Sequence, residues 1–119
     1  MLPRELLPQI DESEIDNFKK YCEGKGIRAK YVRLSPKKIY PSQKKLNKSK
    51  IKNMLEKDYL NGVFVVSRDN RLLDGHHRWA SDLIKRPDSQ LTCLKVDCPM
   101  EQLISIGHMF DGSTIKTLK

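Results

Sequence analysis

The sequence predicts a single small α/β domain in which a mixed β-sheet is flanked by helices. Two observations predict this fold class. Short apolar runs with strand character, such as Val63–Val66, alternate along the chain with segments of helical periodicity, such as His76–Lys85. The chain has 119 residues, the length of one domain, and no Gly/Ser-rich linker divides it.

The N-terminal part is predicted to form one helix and one strand. A helix over 11–23 is indicated by a cap at Asp11 or Ser13 and by apolar residues at helical spacing: Ile15, Phe18 and Cys22. Gly24 ends this helix. Residues 27–34 are predicted to form a strand with three side chains on one face: Ile27, Ala29 and Tyr31.

The middle of the chain is predicted to continue with a helix and a buried strand. Two prolines in 35–41 mark a loop, and a second helix begins at Asn47 or Ser49. Gly62 ends that helix. The run Val63–Val66 is continuously apolar, which is typical of a strand buried on both faces.

The C-terminal half is predicted to form a hairpin, a helix, a strand and a last helix. Asp69-Asn70 is a turn, and 71–73 is a short returning strand. A helix over 76–85 buries four apolar side chains: Trp79, Ala80, Leu83 and Ile84. Alternation predicts a strand over 91–98, and Pro99 fits the first turn of the last helix. The domain then consists of an N-terminal extension and helix (1–26), a core (27–110) and a flexible tail (111–119).

The charge is concentrated in one segment. The net charge is +8, and from Arg28 to Lys57 eleven Lys and Arg residues face one acid, while the rest of the chain has twelve against fourteen. Such a segment attracts polyanions, so DNA or RNA is a candidate partner. The candidate contacts are lysines of this segment: Lys37, Lys38, Lys44, Lys45, Lys48, Lys50 and Lys52. The alternative is a solvated lysine-rich face.

Composition excludes several classes of protein. Three cysteines without a CxxC pair argue against a disulfide scaffold and a zinc finger, and no structural metal is expected. No apolar run approaches the roughly 18 residues of a membrane span. The N-terminus lacks the apolar core and cleavage site of a signal peptide. We therefore expect a reduced, cytoplasmic protein that does not contact a membrane.

The segment 74–78, Asp-Gly-His-His-Arg, carries the chemistry. It lies at a strand-to-helix corner, where unpaired backbone N–H groups meet the positive end of the helix dipole. Gly75 allows a bound group to approach the backbone closely, and Arg78 can bind phosphate through two hydrogen bonds. This pattern predicts an anion site, with phosphate as the anion. Asp74 can orient a histidine, hold Mg²⁺ or cap the helix. The alternative is a capped turn with two surface histidines.

The DGHHRW motif, after an apolar hairpin and after LSPKKIYPSQKKLNKSKIKNML, resembles the ParB/sulfiredoxin superfamily. The resemblance runs from about residue 32 to 84 and continues more weakly over 91–98. It implies a ParB/sulfiredoxin-like fold in which the glycine loop binds nucleotide phosphates and an upstream segment, here with Gln43 and Lys44, forms the other wall. The opening LPRELLPQI is also similar to small stand-alone members encoded by tailed bacteriophages.

Differences between this loop and those of the superfamily limit the reactions that the chain is expected to catalyse. In sulfiredoxins the loop contains the catalytic cysteine, and His76 stands at that position here. In CTP-binding ParB proteins the loop reads G-E-R-R, and only Arg78 has the same residue type as in that loop. Free-serine kinases have a D-G-H-H-R-like loop. The position that matches their catalytic glutamate is Gln43 in this chain, and an amide cannot act as a general base. This difference argues against a kinase but not against nucleotide binding.

Three hypotheses follow. The first is a nucleotide-binding protein that takes ATP, ADP or CTP with Mg²⁺ and cleaves or transfers a phosphate. The candidates for catalysis are four residues of the loop: Asp74, His76, His77 and Arg78. The candidates for phosphate binding are Gln43, Lys44, Gly75, His76, His77 and Arg78. The second is a ParB-like endonuclease that uses the same loop. The third is a non-catalytic module that binds nucleic acid or a protein partner.

Overall fold

The computed structural model describes residues 7–42, 62–110 and 113–115. Its main sheet has four strands in the order β2-β5-β3-β4, with these bounds: β2 Ala29–Leu34, β3 Val63–Val66, β4 Leu72–Asp74 and β5 Leu91–Val96. The strand β5 pairs antiparallel with β2 and parallel with β3, while β3 and β4 form an antiparallel hairpin. The sheet is therefore mixed, as the sequence predicts.

Helices cover both faces of this sheet. In the described part of the chain they are α1 Ile15–Gly24, α2 His76–Lys85 and α3 Met100–Met109, with 3-10 turns at Glu12–Glu14 and Pro36–Lys38. One face packs against α1 and α3 through a cluster that includes Phe18, Leu94 and Leu103. The other packs against α2 through a cluster that includes Phe64, Leu72 and Trp79. Since strand side chains alternate, neighbouring residues of β3 enter different clusters.

The first and last strands that the structure describes pair with each other beside the core. The strand β1 (Pro8–Ile10) pairs antiparallel with β6 (Ser113–Ile115). The side chain of Ile10 is buried in the α1 and α3 cluster, together with Ile15 of α1. The predicted extension 1–26 thus contributes to the core, and the predicted flexible tail contains a strand.

Most local predictions agree with the structure. The bounds of β3 and α2 are the predicted ones, and the helix predicted between Asn47 or Ser49 and Gly62 lies outside the described residues. One predicted burial is wrong: the side chain of Ile84 is 62% exposed. The side chain of Tyr31, for which only the face of its strand was predicted, is 43% exposed. Tyr31 lies on an edge strand and donates a hydrogen bond to Asp16, and Ile84 lies in the last turn of α2. Among the described helices, none has the length and apolarity to cross a bilayer.

Candidate functional site

The corner between β4 and α2 is built around Gly75. Gly75 has a φ of 91°, in the left-handed region that favours glycine, and its carbonyl accepts the hydrogen bond from Trp79 N that begins the helix, at 2.9 Å. The carboxylate of Asp74 accepts hydrogen bonds from the backbone N–H of Gly75 at 2.8 Å and of Ile10 at 3.1 Å. Asp74 therefore fixes the corner and fastens it to β1.

The two histidines of the loop are buried, with 3% of His76 and 6% of His77 exposed. The Nε2 atom of His76 accepts a hydrogen bond from the backbone N–H of Ser42 at 3.0 Å. The hydroxyl of Ser42 donates to the carbonyl of Leu72, so it cannot also donate to the ring. The geometry thus requires an unprotonated Nε2, and His76 ties the chain at Ser42 to the first turn of α2.

The guanidinium of Arg78 is held at the N-terminal end of α2. Its Cζ lies 4.9 Å from the centre of the Phe64 ring, a cation–π contact. It is also close to two glycines: a Cβ at Gly62 would lie 2.1 Å from Nη1, and a Cβ at Gly75 would lie 3.1 Å from Nη2. The absence of side chains at these two glycines leaves the space that the guanidinium occupies.

Arg78 borders a cleft of about 430 Å³, hereafter the Arg78 cleft, which lies where β3 and β5 begin. Two further arginines line it: Arg33 from β2 and Arg86 from the end of α2. Arg33 donates to the carbonyl of Gln90 at 3.1 Å, and Arg86 forms an ion pair with Asp82 at 2.8 Å. No ion pair joins Arg78 to a carboxylate among the residues that the structure describes.

Sequence reasoning missed Arg33 and Arg86 as members of the site. One signal was available, because Arg78, Asp82 and Arg86 follow each other at intervals of four and so share one face of a helix. No local pattern connects Arg33 with this face. It reaches the cleft because β2 pairs with β5, where Arg33 lies opposite Thr92.

The remaining predicted contacts are placed only in part. Lys37 forms an ion pair with Asp88 at 2.8 Å, and Lys38 is exposed. The other candidates lie outside the described residues: Gln43, Lys44, Lys45, Lys48, Lys50 and Lys52. Gln43 and Lys44 follow directly after Ser42, the residue that His76 holds.

The cysteines are not suited to nucleophilic chemistry. Burial raises the pKa of the Cys22 thiol from its ordinary 9.0 to about 12, with a further contribution from Cys98, and raises the pKa of Cys93 to about 11. Burial also raises the pKa of Cys98. Since the reactive form of cysteine is the thiolate, all three are in the unreactive thiol form near neutral pH.

The architecture is similar to a known one. A solved structure of a Pnob8-like ParB-N domain, in its C2221 form, matches with a TM-score of 0.51 and 17% sequence identity. This chain has a ParB-N-like fold. The match covers 69% of this chain and 35% of that chain, so this ParB-N-like domain spans about a third of the length of the protein it matches. Comparisons with protein-family models and with curated protein sequences give no match.

Proposed function

We propose that this ParB-N-like domain binds the phosphates of a nucleotide, ATP, ADP or CTP with Mg²⁺, in the Arg78 cleft and cleaves or transfers a phosphate there. One observation carries the proposal. The guanidinium of Arg78, which has no carboxylate partner among the described residues, is stacked on Phe64 at 4.9 Å and faces the cleft from the N-terminal end of α2. Arg78 is the residue of the loop 74–78 that lines the cleft, and a guanidinium there favours a bound phosphate because it can bind phosphate through two hydrogen bonds.

The size and lining of the cleft support a small anion. A volume of about 430 Å³ falls within the range of small-molecule sites. Of the three lining arginines, Arg86 is neutralised by Asp82, so Arg33 and Arg78 face one remaining carboxylate, that of Glu12, and the cleft keeps a surplus of one positive charge. This size favours a mononucleotide over a polymer, and so favours the phosphohydrolase or phosphotransferase hypothesis over the nuclease.

The described residues fit a magnesium ion that arrives with the nucleotide. Mg²⁺ is commonly bound by one or two carboxylates together with substrate phosphates. Glu12 and Asp82 are the carboxylates among the described residues that line the cleft, and Asp82 is ion-paired with Arg86. Among the described residues, Glu12 is therefore the one that would hold the ion, which would neutralise phosphate charge.

The contacts favour different roles for the four catalytic candidates. Arg78 is the group that would contact the phosphate and stabilise the charge that develops on it during transfer. Asp74 and His76 are bonded to Ile10 and Ser42, so we assign them to positioning the loop. A catalytic part for His77, which is 6% exposed, stays a prediction.

The test is calorimetric titration of ATP, ADP, CTP and GTP with Mg²⁺ into the wild type, Arg78→Ala and the control Arg71→Ala. Arg71 is an exposed arginine paired with Asp69 and does not line the Arg78 cleft. We expect at least one nucleotide to bind and its affinity to fall at least about tenfold in Arg78→Ala alone, since a hydrogen bond to a charged group contributes about 1.5–3 kcal/mol. Phosphate release in the same samples measures turnover.

Two results would contradict the proposal. Saturable binding that Arg78→Ala leaves unchanged would place the nucleotide elsewhere. If none of the four nucleotides binds, the leading hypothesis is wrong. Nicking of plasmid DNA that His77→Ala abolishes would then identify the nuclease.

A further inference from the structure

A second basic cleft lies at the other end of β5 from the Arg78 cleft. It has a volume of about 380 Å³, and five described residues line it: Arg28, Lys30, Arg68, Lys95 and Asp97. The Arg78 cleft includes the first residues of β5, Leu91 and Thr92, whereas this one includes Lys95 near its end. We call it the Lys95 cleft.

Two lysines of the Lys95 cleft face each other across the sheet. Lys30 of β2 is the register partner of Lys95 of β5 in the antiparallel ladder. Side chains in such positions have Cβ atoms about 5 Å apart, and like charges there destabilise the folded sheet. Lys95 is also half-buried, so water screens its charge less than at the surface. This pair works against the stability of the fold.

The carboxylate in the cleft does not neutralise this pair. Asp97 accepts a hydrogen bond from Arg68 Nε at 2.9 Å, and its backbone carbonyl accepts another from Arg68 Nη2 at 3.2 Å. Within the described ranges, no ion pair involves Arg28, Lys30 or Lys95. The cleft therefore carries a surplus of three positive charges.

We propose that the Lys95 cleft binds the phosphodiester backbone of a nucleic acid strand. Its cations come from the residue before β2, from β2, from β5 and from the turn after β3, so that together they can contact more than one phosphate. None of the five lining residues is aromatic, so the cleft offers no platform on which bases could stack. The cleft contacts the phosphate backbone and not the bases, so binding does not depend on the base sequence of the strand. A phosphate chain placed between Lys30 and Lys95 also removes their repulsion.

This inference does not rest on the proposed nucleotide function. The Lys95 cleft shares no lining residue with the Arg78 cleft, and none of its cations belongs to the lysines that sequence reasoning selected. The variant Arg78→Ala should therefore bind nucleic acid as the wild type does. If the nucleotide function fails, this expectation is unaffected.

The experiment measures the salt dependence of nucleic acid binding. Fluorescence anisotropy follows labelled single-stranded DNA, single-stranded RNA and duplex DNA, each about 20 nucleotides long, between about 50 and 200 mM salt. The test variant is Lys30→Gln with Lys95→Gln. The control is Lys20→Gln with Lys25→Gln, which removes the same charge from exposed positions on and just after α1.

We expect the test variant to bind at least about tenfold more weakly than the control. Its slope of log affinity against log salt should fall by about 1.4 for a single strand or about 1.8 for a duplex, the loss of two phosphate contacts. Without nucleic acid, its melting temperature should equal or exceed that of the wild type, because the repulsion is gone. Together these results separate a lost contact from a lost fold, and the three probes identify the kind of strand.

Three results would overturn the proposal. In the first, the test variant binds within twofold of the control, which means that only net charge matters. In the second, none of the three nucleic acids binds to the wild type. In the third, inorganic polyphosphate binds to the wild type more tightly than every nucleic acid and depends on the same two lysines, which would assign the cleft to a different polyanion.

Discussion

Gly62→Ala is the substitution that tests how the position of Arg78 matters while its chemistry is kept. A Cβ at residue 62 would lie 2.1 Å from Nη1 of Arg78 and 3.1 Å from Cζ. Since carbon contacts settle near 3.5 Å, the guanidinium must move by more than about 1 Å. The backbone at Gly62 does not have a positive φ, so alanine introduces no strain there.

The expected loss in binding is large and the expected loss in stability is small. A displacement of about 1 Å at a catalytic or binding group can cost about a hundredfold in rate, so we expect nucleotide binding or turnover to fall between tenfold and a hundredfold, to roughly the level of Arg78→Ala. The cost in stability is limited to the stacking of Arg78 on Phe64, about 0.5–1 kcal/mol. A loss of this size lowers the melting temperature by only a few degrees.

The assay compares nucleotide titration and thermal unfolding of Gly62→Ala with those of Gly24→Ala. Gly24 is the last residue of α1, and a Cβ there would meet nothing within 4 Å. This control should keep wild-type binding and gain at most about 1 kcal/mol in helix stability. Wild-type nucleotide affinity in Gly62→Ala would refute the reasoning, because the displaced guanidinium would then not matter. So would a loss of more than about 3 kcal/mol in stability.

Three further predictions concern the loop and the core. Gly75→Ala should lower the free energy of unfolding, measured with denaturant, by at least about 1–2 kcal/mol. The φ of 91° is strained for alanine, and the Cβ would lie 2.9 Å from the buried Phe64 ring. A stability equal to that of the wild type would contradict this prediction. His76→Ala leaves the N–H of Ser42 without its acceptor and should lower the free energy of unfolding by about 1–3 kcal/mol. His76→Gln can supply an oxygen as acceptor and should lower it less. Equal losses in the two variants would argue against this hydrogen bond. The free energy of unfolding should be insensitive to Cys93 below pH 9 and fall between pH 9 and about 11, because burial raises the pKa of this thiol from 9.0 to about 11 and the unfolded chain releases its proton first. In Cys93→Ala the slope should be smaller by about 1.4 kcal/mol per pH unit, with the remaining slope coming from the buried Cys22 and Cys98, and identical slopes would contradict the assignment.

The parts of the fold that the sequence predicts are those that depend on neighbours in the chain. The strand Val63–Val66 and the helix His76–Lys85 follow from runs of residues whose spacing matches one period throughout. The loop between β4 and α2 was found for the same reason, because its five residues are consecutive. Exposure was harder to predict: Ile84 has the helical spacing of a buried residue, but it lies in the last turn of α2 and is 62% exposed.

The parts that could not be predicted depend on the order of strands in the sheet. Arg33 and Arg78 line the same cleft because β5 lies between β2 and β3. The spacing of residues along the chain does not indicate this strand order. Lys30 and Lys95 are opposite each other for the same reason, 65 positions apart in the chain. Both clefts are therefore products of the sheet topology, even though each depends on residue types that are visible in the sequence.

The contacts of the loop connect it with the most basic part of the chain. Ser42 bonds to His76, and Gly62 lies against Arg78, so the residues on either side of segment 43–61 both contact the first turn of α2. That segment carries most of the lysines that sequence reasoning selected. The residue before the segment thus contacts His76, and the residue after it lies next to Arg78. Both residues that flank the segment therefore lie against the same turn of α2, the turn that carries Arg78.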